Sequence, residues 1–178
     1  HFHNKTNNKK YLDVVEKLLL SISSKGIYDH LEGGISRYTV DEKWIVPHFE
    51  KMLYDNIQYV NLLNNYLSIK EDNYLKQKLK QTINFINSEF LIKNNLLGSA
   101  YDADSDGIEG KYYIWRYQEL KDILGDDLET FKKKYKISEE GNFEGSNILI
   151  ENLDVNIEKE SKKILEIETK ILEIRKKR

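Results

Sequence analysis

Two stretches of the sequence gather residue types that can do chemistry. The first, residues 33 to 55, holds Arg37, Tyr38, Asp41, Trp44, His48, Glu50, Lys51, Tyr54 and Asp55; the second is Asp102-Ala-Asp104-Ser-Asp106-Gly107, with Glu109 just beyond. An unperturbed histidine titrates near pH ~6.5, close to working pH, which suits His48 to act as an acid or base or to hold a substrate oxygen. Paired carboxylates cleave or isomerise sugars when held at a defined separation, one as acid and the other as base or nucleophile. Asp41, Glu50, Asp55, Asp102, Asp104, Asp106 and Glu109 are the candidates, and the sequence alone does not choose the converging pair. Tyr28, Tyr38, Trp44, Tyr101, Tyr113 and Trp115 lie in or beside the same stretches. Aromatic faces of this kind stack on sugar rings, and they equally build the small core of a loop.

The aspartates at 102, 104 and 106 followed by Gly107 match the opening of a calcium-binding EF-hand loop, in which alternating oxygens converge on a hard cation. The twelfth position, which should be a bidentate Glu, is Tyr113, and a strand or turn precedes the run rather than a helix. Acidic turn or pocket residues are therefore the better reading, and neither a metal nor a cofactor is expected. The sequence has no Cys, which excludes disulfides, a cysteine zinc site and a thiol nucleophile within it.

Helices must position these residues. Leu12, Val15, Leu18, Leu19 and Ile22 recur at helical spacing, and Gly26 stands where a C-terminal glycine cap belongs, so a first helix spans about residues 10 to 25. Residues 27 to 47 lack a helical period and form a long structured loop, of the length that usually carries function. Pro47, placed as a first helical residue, opens a second helix from about 47 to 69 along Phe49, Met52, Leu53, Ile57, Val60, Leu63 and Leu67. That helix would set His48, Lys51 and Asp55 on one face, with Lys51 and Asp55 paired at i, i+4. The polar turn at Lys70 to Asn73 leads into a third helix ending near residue 93, completing a helical hairpin.

Residues 98 to 115 read as a β-hairpin ending in the β-prone run Tyr112-Tyr-Ile-Trp115. Helices at about 116 to 124 and 127 to 136, a turn at 141 to 145, a short strand at 147 to 150 and a packed helix from 156 to 178 complete the chain. Successive links in an antiparallel helical array alternate between its two ends. The two chemically loaded loops therefore share one end, and the plain turn at residues 70 to 73 lies at the other.

The 178 residues are one unit by length, with 39% hydrophobic and 33% charged residues, enough apolar content for a core under a wet surface. A net charge of −2 gives no electrostatic footprint for nucleic acid. No apolar run reaches the ~18 residues of a membrane span, and no signal-like segment opens the chain, so a cytoplasmic location and no membrane partner are expected. His1 in place of Met, and a charged final helix with no stop signal, are the marks expected of a piece of a longer polypeptide, with residues 1 to 9 as a linker remnant.

Three blocks carry a resemblance: residues 26 to 56 (GIYDHLEGGISRYTVDEKWIVPHFEKMLYDN), 99 to 115 (SAYDADSDGIEGKYYIW) and 141 to 149 (GNFEGSNIL). Together they resemble the spermatogenesis-associated protein 20-like, thioredoxin-domain-containing family. The resemblance implies a mainly α fold, the N-terminal part of an α/α-toroid related to N-acylglucosamine 2-epimerases and six-hairpin glycosidases, with short β-hairpins in its long loops. It also implies that the remaining hairpins and a thioredoxin-like domain lie elsewhere in the polypeptide, as intramolecular partners. By matching motif, His48, Glu50 and Asp104 are implied as pocket residues, and the first expectation is that His48 with Glu50 or Asp104 acts as acid and base on a carbohydrate-like ligand. Arg37, Tyr38, Asp41, Trp44, Lys51, Asp102, Glu109 and Trp115 are implied as its binding residues. Where the family usually has a bulky aromatic and His before Arg-Tyr, this chain has Ile35-Ser36. A helical scaffold that serves a thioredoxin-like redox module without chemistry of its own is the competing expectation.

Overall fold

The computed structural model describes residues 2 to 178 and is mainly α-helical. Its helices are α1 (Phe2–Thr6), α2 (Lys9–Ser24), α3 (Leu53–Leu67), α4 (Asn73–Phe85), α5 (Tyr117–Leu124), α6 (Leu128–Lys134) and α7 (Ser161–Arg175). Two antiparallel strand pairs lie in the loops: β1 (Lys51–Met52) with β2 (Ala100–Tyr101), and β3 (Asp104–Ser105) with β4 (Ile108–Glu109). Among the described residues no helix is long and apolar enough to cross a membrane.

Local chemistry fixes most boundaries. The Asn8 side chain caps α2 by accepting from the Lys10 amide at 3.0 Å, and Asp72 caps α4 by accepting from the Leu75 amide at 2.9 Å. Gly26 follows α2 for a different reason than capping. Its amide donates to the Trp44 carbonyl, and a Cβ there would stand 1.9 Å from the Ile45 carbonyl oxygen. Asp106 and Gly107, with φ of 53° and 73°, form the two-residue turn between β3 and β4, which is what Asp-Gly does in a tight hairpin. The lead-in expected to be a linker remnant forms the short helix α1.

The second expected helix begins late. Pro47 is not a helical residue but bridges antiparallel to Thr39, and Lys51–Met52 is a strand, so the helix does not begin until Leu53. Pairing with Ala100–Tyr101 outweighs the helical spacing of Phe49 and Met52. The expected strand at 112 to 115 is also absent: residues 110 to 113 are a turn, and Trp115 makes only a single bridge to Asn147. The third helix closes earlier than expected, through a π-helical turn at Ile86–Phe90.

Two cores result. Leu19, Tyr59, Leu63, Tyr66 and Leu75 join α2, α3 and α4, with Tyr28 and Ile35 of the long loop sealing one side. Trp115, Leu120, Leu124, Phe131, Tyr135, Ile167 and Ile171 join α5, α6 and α7. Between them a small core of Phe49, Ala103 and Ile148 locks the two long loops together.

Gly26→Ala is expected to cost about 3 kcal/mol, because backbone on both sides of the new methyl must move. Gly107→Ala, at a positive φ but with open space where its methyl would stand, should cost only about 1 to 2 kcal/mol. Urea unfolding of both variants measures the difference.

Candidate functional site

The two loaded loops meet as the element order requires. Lys51 opposes Tyr101 and Met52 opposes Ala100, while the Leu53 amide donates to the Ser99 carbonyl at 2.9 Å. Within the first loop, the Arg37 amide donates to Glu50 and the His48 amide to Tyr38. Phe49 has φ of 63°, and the Glu50 amide donates back to the His48 carbonyl at 2.8 Å. A γ-turn with positive φ is the rare, strained form, and a bulky residue there marks a site where the surroundings over-determine the backbone. Those surroundings are plain: the Phe49 ring is buried against Tyr113 and Phe143 and lies where any Cβ on Gly110 would be.

That turn separates the residues expected to share a helical face. Lys51 turns inward and Asp55 does not meet it. The Lys51 ammonium donates to the Asp29 carboxylate at 2.7 Å and the Gly33 carbonyl at 2.9 Å, over the rings of Phe85 and Tyr113. Arg175, at the end of α7, grips the same carboxylate with both guanidinium nitrogens at 2.9 Å and reaches Glu32 at 3.2 Å. Burial alone would push the Asp29 carboxyl up; Arg175 and then Lys51 override it and hold it well below the usual carboxylate range. Burial pulls Lys51 below the ordinary lysine value, with Asp29 opposing.

Beside this cluster opens a groove of about 270 Å³ lined by Glu32, Phe85, Glu89, Tyr101, Asp102, Asp104, Ser105, Tyr112 and Tyr113. Of the expected site residues, Asp102 and Asp104 line it. Lys51 lies beneath, its ammonium over two of the groove's rings. His48, Tyr38, Arg37 and Glu50 form an adjoining ridge: the Tyr38 and His48 rings stack with centroids 4.6 Å apart, and Arg37 pairs with Glu50 at 3.5 Å and overlies Tyr54. Two buried polar atoms on this ridge, Nδ1 of His48 and Oδ2 of Asp55, have no hydrogen-bond partner. Burial raises the Asp55 carboxyl above its ordinary value.

Three expected residues are engaged in the loops or the core. Asp41 spends its carboxylate on the amides of Lys43, Ile45 and Val46, which folds its own loop. Trp44 adopts φ of 62° and presents its carbonyl to Gly26. Trp115 is fully buried in the core of α5 to α7, with the Arg178 guanidinium 3.8 Å from its ring, and so reaches no ligand. Glu109 is exposed, opposite Asp104 in the hairpin. Asp106 pairs with Lys111 at 2.7 Å, and no group of three His, Cys, Asp or Glu side chains among the described residues is placed to hold a metal ion.

Sequence reasoning passed over Asp29, Glu32 and Arg175, and also a second buried cluster around His30. Nε2 of His30 lies 3.0 Å from the Lys25 carbonyl, which can only accept, so Nε2 carries the proton and Nδ1 accepts from the Lys78 ammonium at 3.2 Å. Lys78 also pairs with Glu151 at 3.0 Å. Burial, and then Lys78, lower the His30 pKa and keep the ring neutral. The signal was present in the helix stripes. Lys78 falls among the inward positions Leu75 and Thr82, and Arg175 stands four residues past Ile171.

The chain is thus a mainly α protein of helical hairpins whose long loops join over a buried ionic cluster. Comparison with known proteins places it: it belongs to the spermatogenesis-associated protein 20-like family. It is 31% identical to mouse spermatogenesis-associated protein 20 over 144 residues, which are 72% of this chain and 18% of that protein. It is 29% identical to the human protein over the same share of the chain, and 33% identical to an uncharacterized protein of Caenorhabditis elegans over 66% of it. The chain therefore spans about a fifth of the length of the relatives it matches. No family model matches the sequence.

Lys51→Met should destabilise the protein by about 3 kcal/mol, since it leaves Asp29 buried with one of its two cations gone. Lowering the pH should cost stability in two stages. The folded His30 pKa lies below its ordinary 6.5, so its contribution is whole above about pH 6.5 and is lost as pH falls below that. Asp29, depressed from 3.8, loses its contribution below about pH 4. A series of chemical melts from pH 8 to pH 3 in His30→Gln and the parent protein checks the first stage, which the variant should lack.

Proposed function

We propose that the groove between the two long loops binds a small, carbohydrate-like ligand, and that the helices bearing it form part of an α/α-toroid completed by further hairpins of the polypeptide. The observation that carries this reading is the groove itself. It is a cavity of about 270 Å³ in which three tyrosines and the carboxylates of Asp102 and Asp104 face one space at the junction of the loops. Tyrosine faces stack on the apolar side of a sugar ring, and carboxylates accept hydrogen bonds from its hydroxyls. In this reading Asp104 serves as acid or base toward the ligand, with His48 and Glu50 on the adjoining ridge completing an isomerase-like or glycosidase-like reaction in the cytoplasm.

One observation favours a second reading. His48 and Glu50 are not among the groove's lining residues, so among the described residues this groove does not gather all three acid/base candidates. A binding module without chemistry, serving a thioredoxin-like domain of the same polypeptide, is the function that fits such an arrangement.

Calorimetric titration of the complete polypeptide with a panel of mono- and oligosaccharides tests the first reading. Binding of at least one sugar is expected, weakened about tenfold by Asp104→Ala, the loss of one charged hydrogen-bond acceptor. No binding to any sugar, or affinity indifferent to Asp104, overturns it. Turnover of the bound sugar that His48→Ala abolishes would favour the enzyme over the binding module.

A further inference from the structure

Arg175 uses only part of its guanidinium on the ionic cluster. Nη1 and Nη2 grip Asp29 at 2.9 Å, and Nη2 also reaches Glu32 at 3.2 Å. The third nitrogen, Nε, is buried and has no hydrogen-bond partner among the described residues, on a side chain only 1% exposed. A buried donor on a charged group is costly to leave without an acceptor, and native interiors rarely do so.

Arg175 lines a cavity of about 20 Å³ between the first loop and the second, walled by Pro47, Phe49 and Ile148. Ser36 and Tyr113 line it too. Ser36 is buried, and neither its hydroxyl nor that of Tyr113 makes a hydrogen bond among the described residues. Three polar groups without partners therefore border one small space.

Volume and charge choose what fits there. A site of this size takes one water molecule and nothing much larger. Asp29 and Arg175 both line it and are already paired with each other, so the surroundings favour neither an anion nor a cation. Water can accept from one N–H and donate to two hydroxyl oxygens, which is the set of groups on offer, and buried waters typically make about three such bonds.

We propose that one buried water is an integral part of the loop junction, accepting from Arg175 Nε and donating to the hydroxyls of Ser36 and Tyr113. It ties the first loop, the second loop and the last turn of α7 through a single molecule. Tyr113 is also a wall of the groove, so the water anchors that ring whatever the groove binds.

A crystal structure of the complete polypeptide with its bound solvent resolved tests this directly. One ordered water is expected about 2.7 to 3.2 Å from both Arg175 Nε and Ser36 Oγ. A dry cavity, or a protein atom accepting from Nε, overturns the inference. Urea unfolding of Ser36→Ala in the same polypeptide gives an independent reading, because the change adds no atoms to the cavity. If the hydroxyl binds the water, its loss should raise the unfolding constant about fivefold. If the cavity is dry, the hydroxyl is an unsatisfied buried group, and removing it should leave stability unchanged or higher. That second result contradicts the proposal.

Discussion

The loop end of this molecule depends on one carboxylate. Asp29 lies in the segment that follows α2, and it is held by Lys51 from the strand before α3 and by Arg175 from the last turn of α7. Segments separated by more than a hundred residues of chain are therefore tied at one point. A buried carboxylate that loses its cations carries a penalty of several kcal/mol, so the three segments are fixed together or not at all. The hydrophobic cores stabilise each helical group, and the small core of Phe49, Ala103 and Ile148 packs the loops together, but apolar contacts are non-directional and do not tie the first loop to the end of α7 at a fixed point. The ion cluster does.

The strain at Phe49 follows from that constraint. Lys51 must point inward to Asp29 while its backbone pairs with Tyr101, and Glu50 must remain outside beside Arg37. A helix beginning at Pro47 cannot satisfy both requirements. The chain instead makes a γ-turn with positive φ, offset by full burial of the Phe49 ring against Gly110 and Tyr113. The groove lies on the outer side of this arrangement, which explains how a surface so rich in carboxylates sits over a firm floor.

Much of this was legible in the residues. The hydrophobic stripes located α2, α3, α4 and α7, and chain order alone placed the two loaded loops together. What the stripes hid were polar residues within them: Lys78 and Arg175 occupy inward positions that periodicity assigns to apolar side chains. Their partners Glu151 and Asp29 are distant in sequence, so no local pattern pairs them. Pro47 misled for a related reason. Its fixed φ suits a first helical turn and an extended bridge equally well, and the choice falls to its bridge partner Thr39 and to the strand, fifty residues on, that pairs with Lys51–Met52. Trp115 shows the same limit, since an aromatic beside acidic loop residues reads alike whether it faces a ligand or the core.

A double-mutant cycle between Asp29→Asn and Arg175→Met, measured by urea unfolding, bears most directly on the claim that this carboxylate organises the loop end. The two losses should be strongly non-additive, with a coupling energy of about 2 kcal/mol or more, as expected for a buried bidentate pair. Additive losses, or an Asp29→Asn variant as stable as the parent, would show that the loops are held together without it.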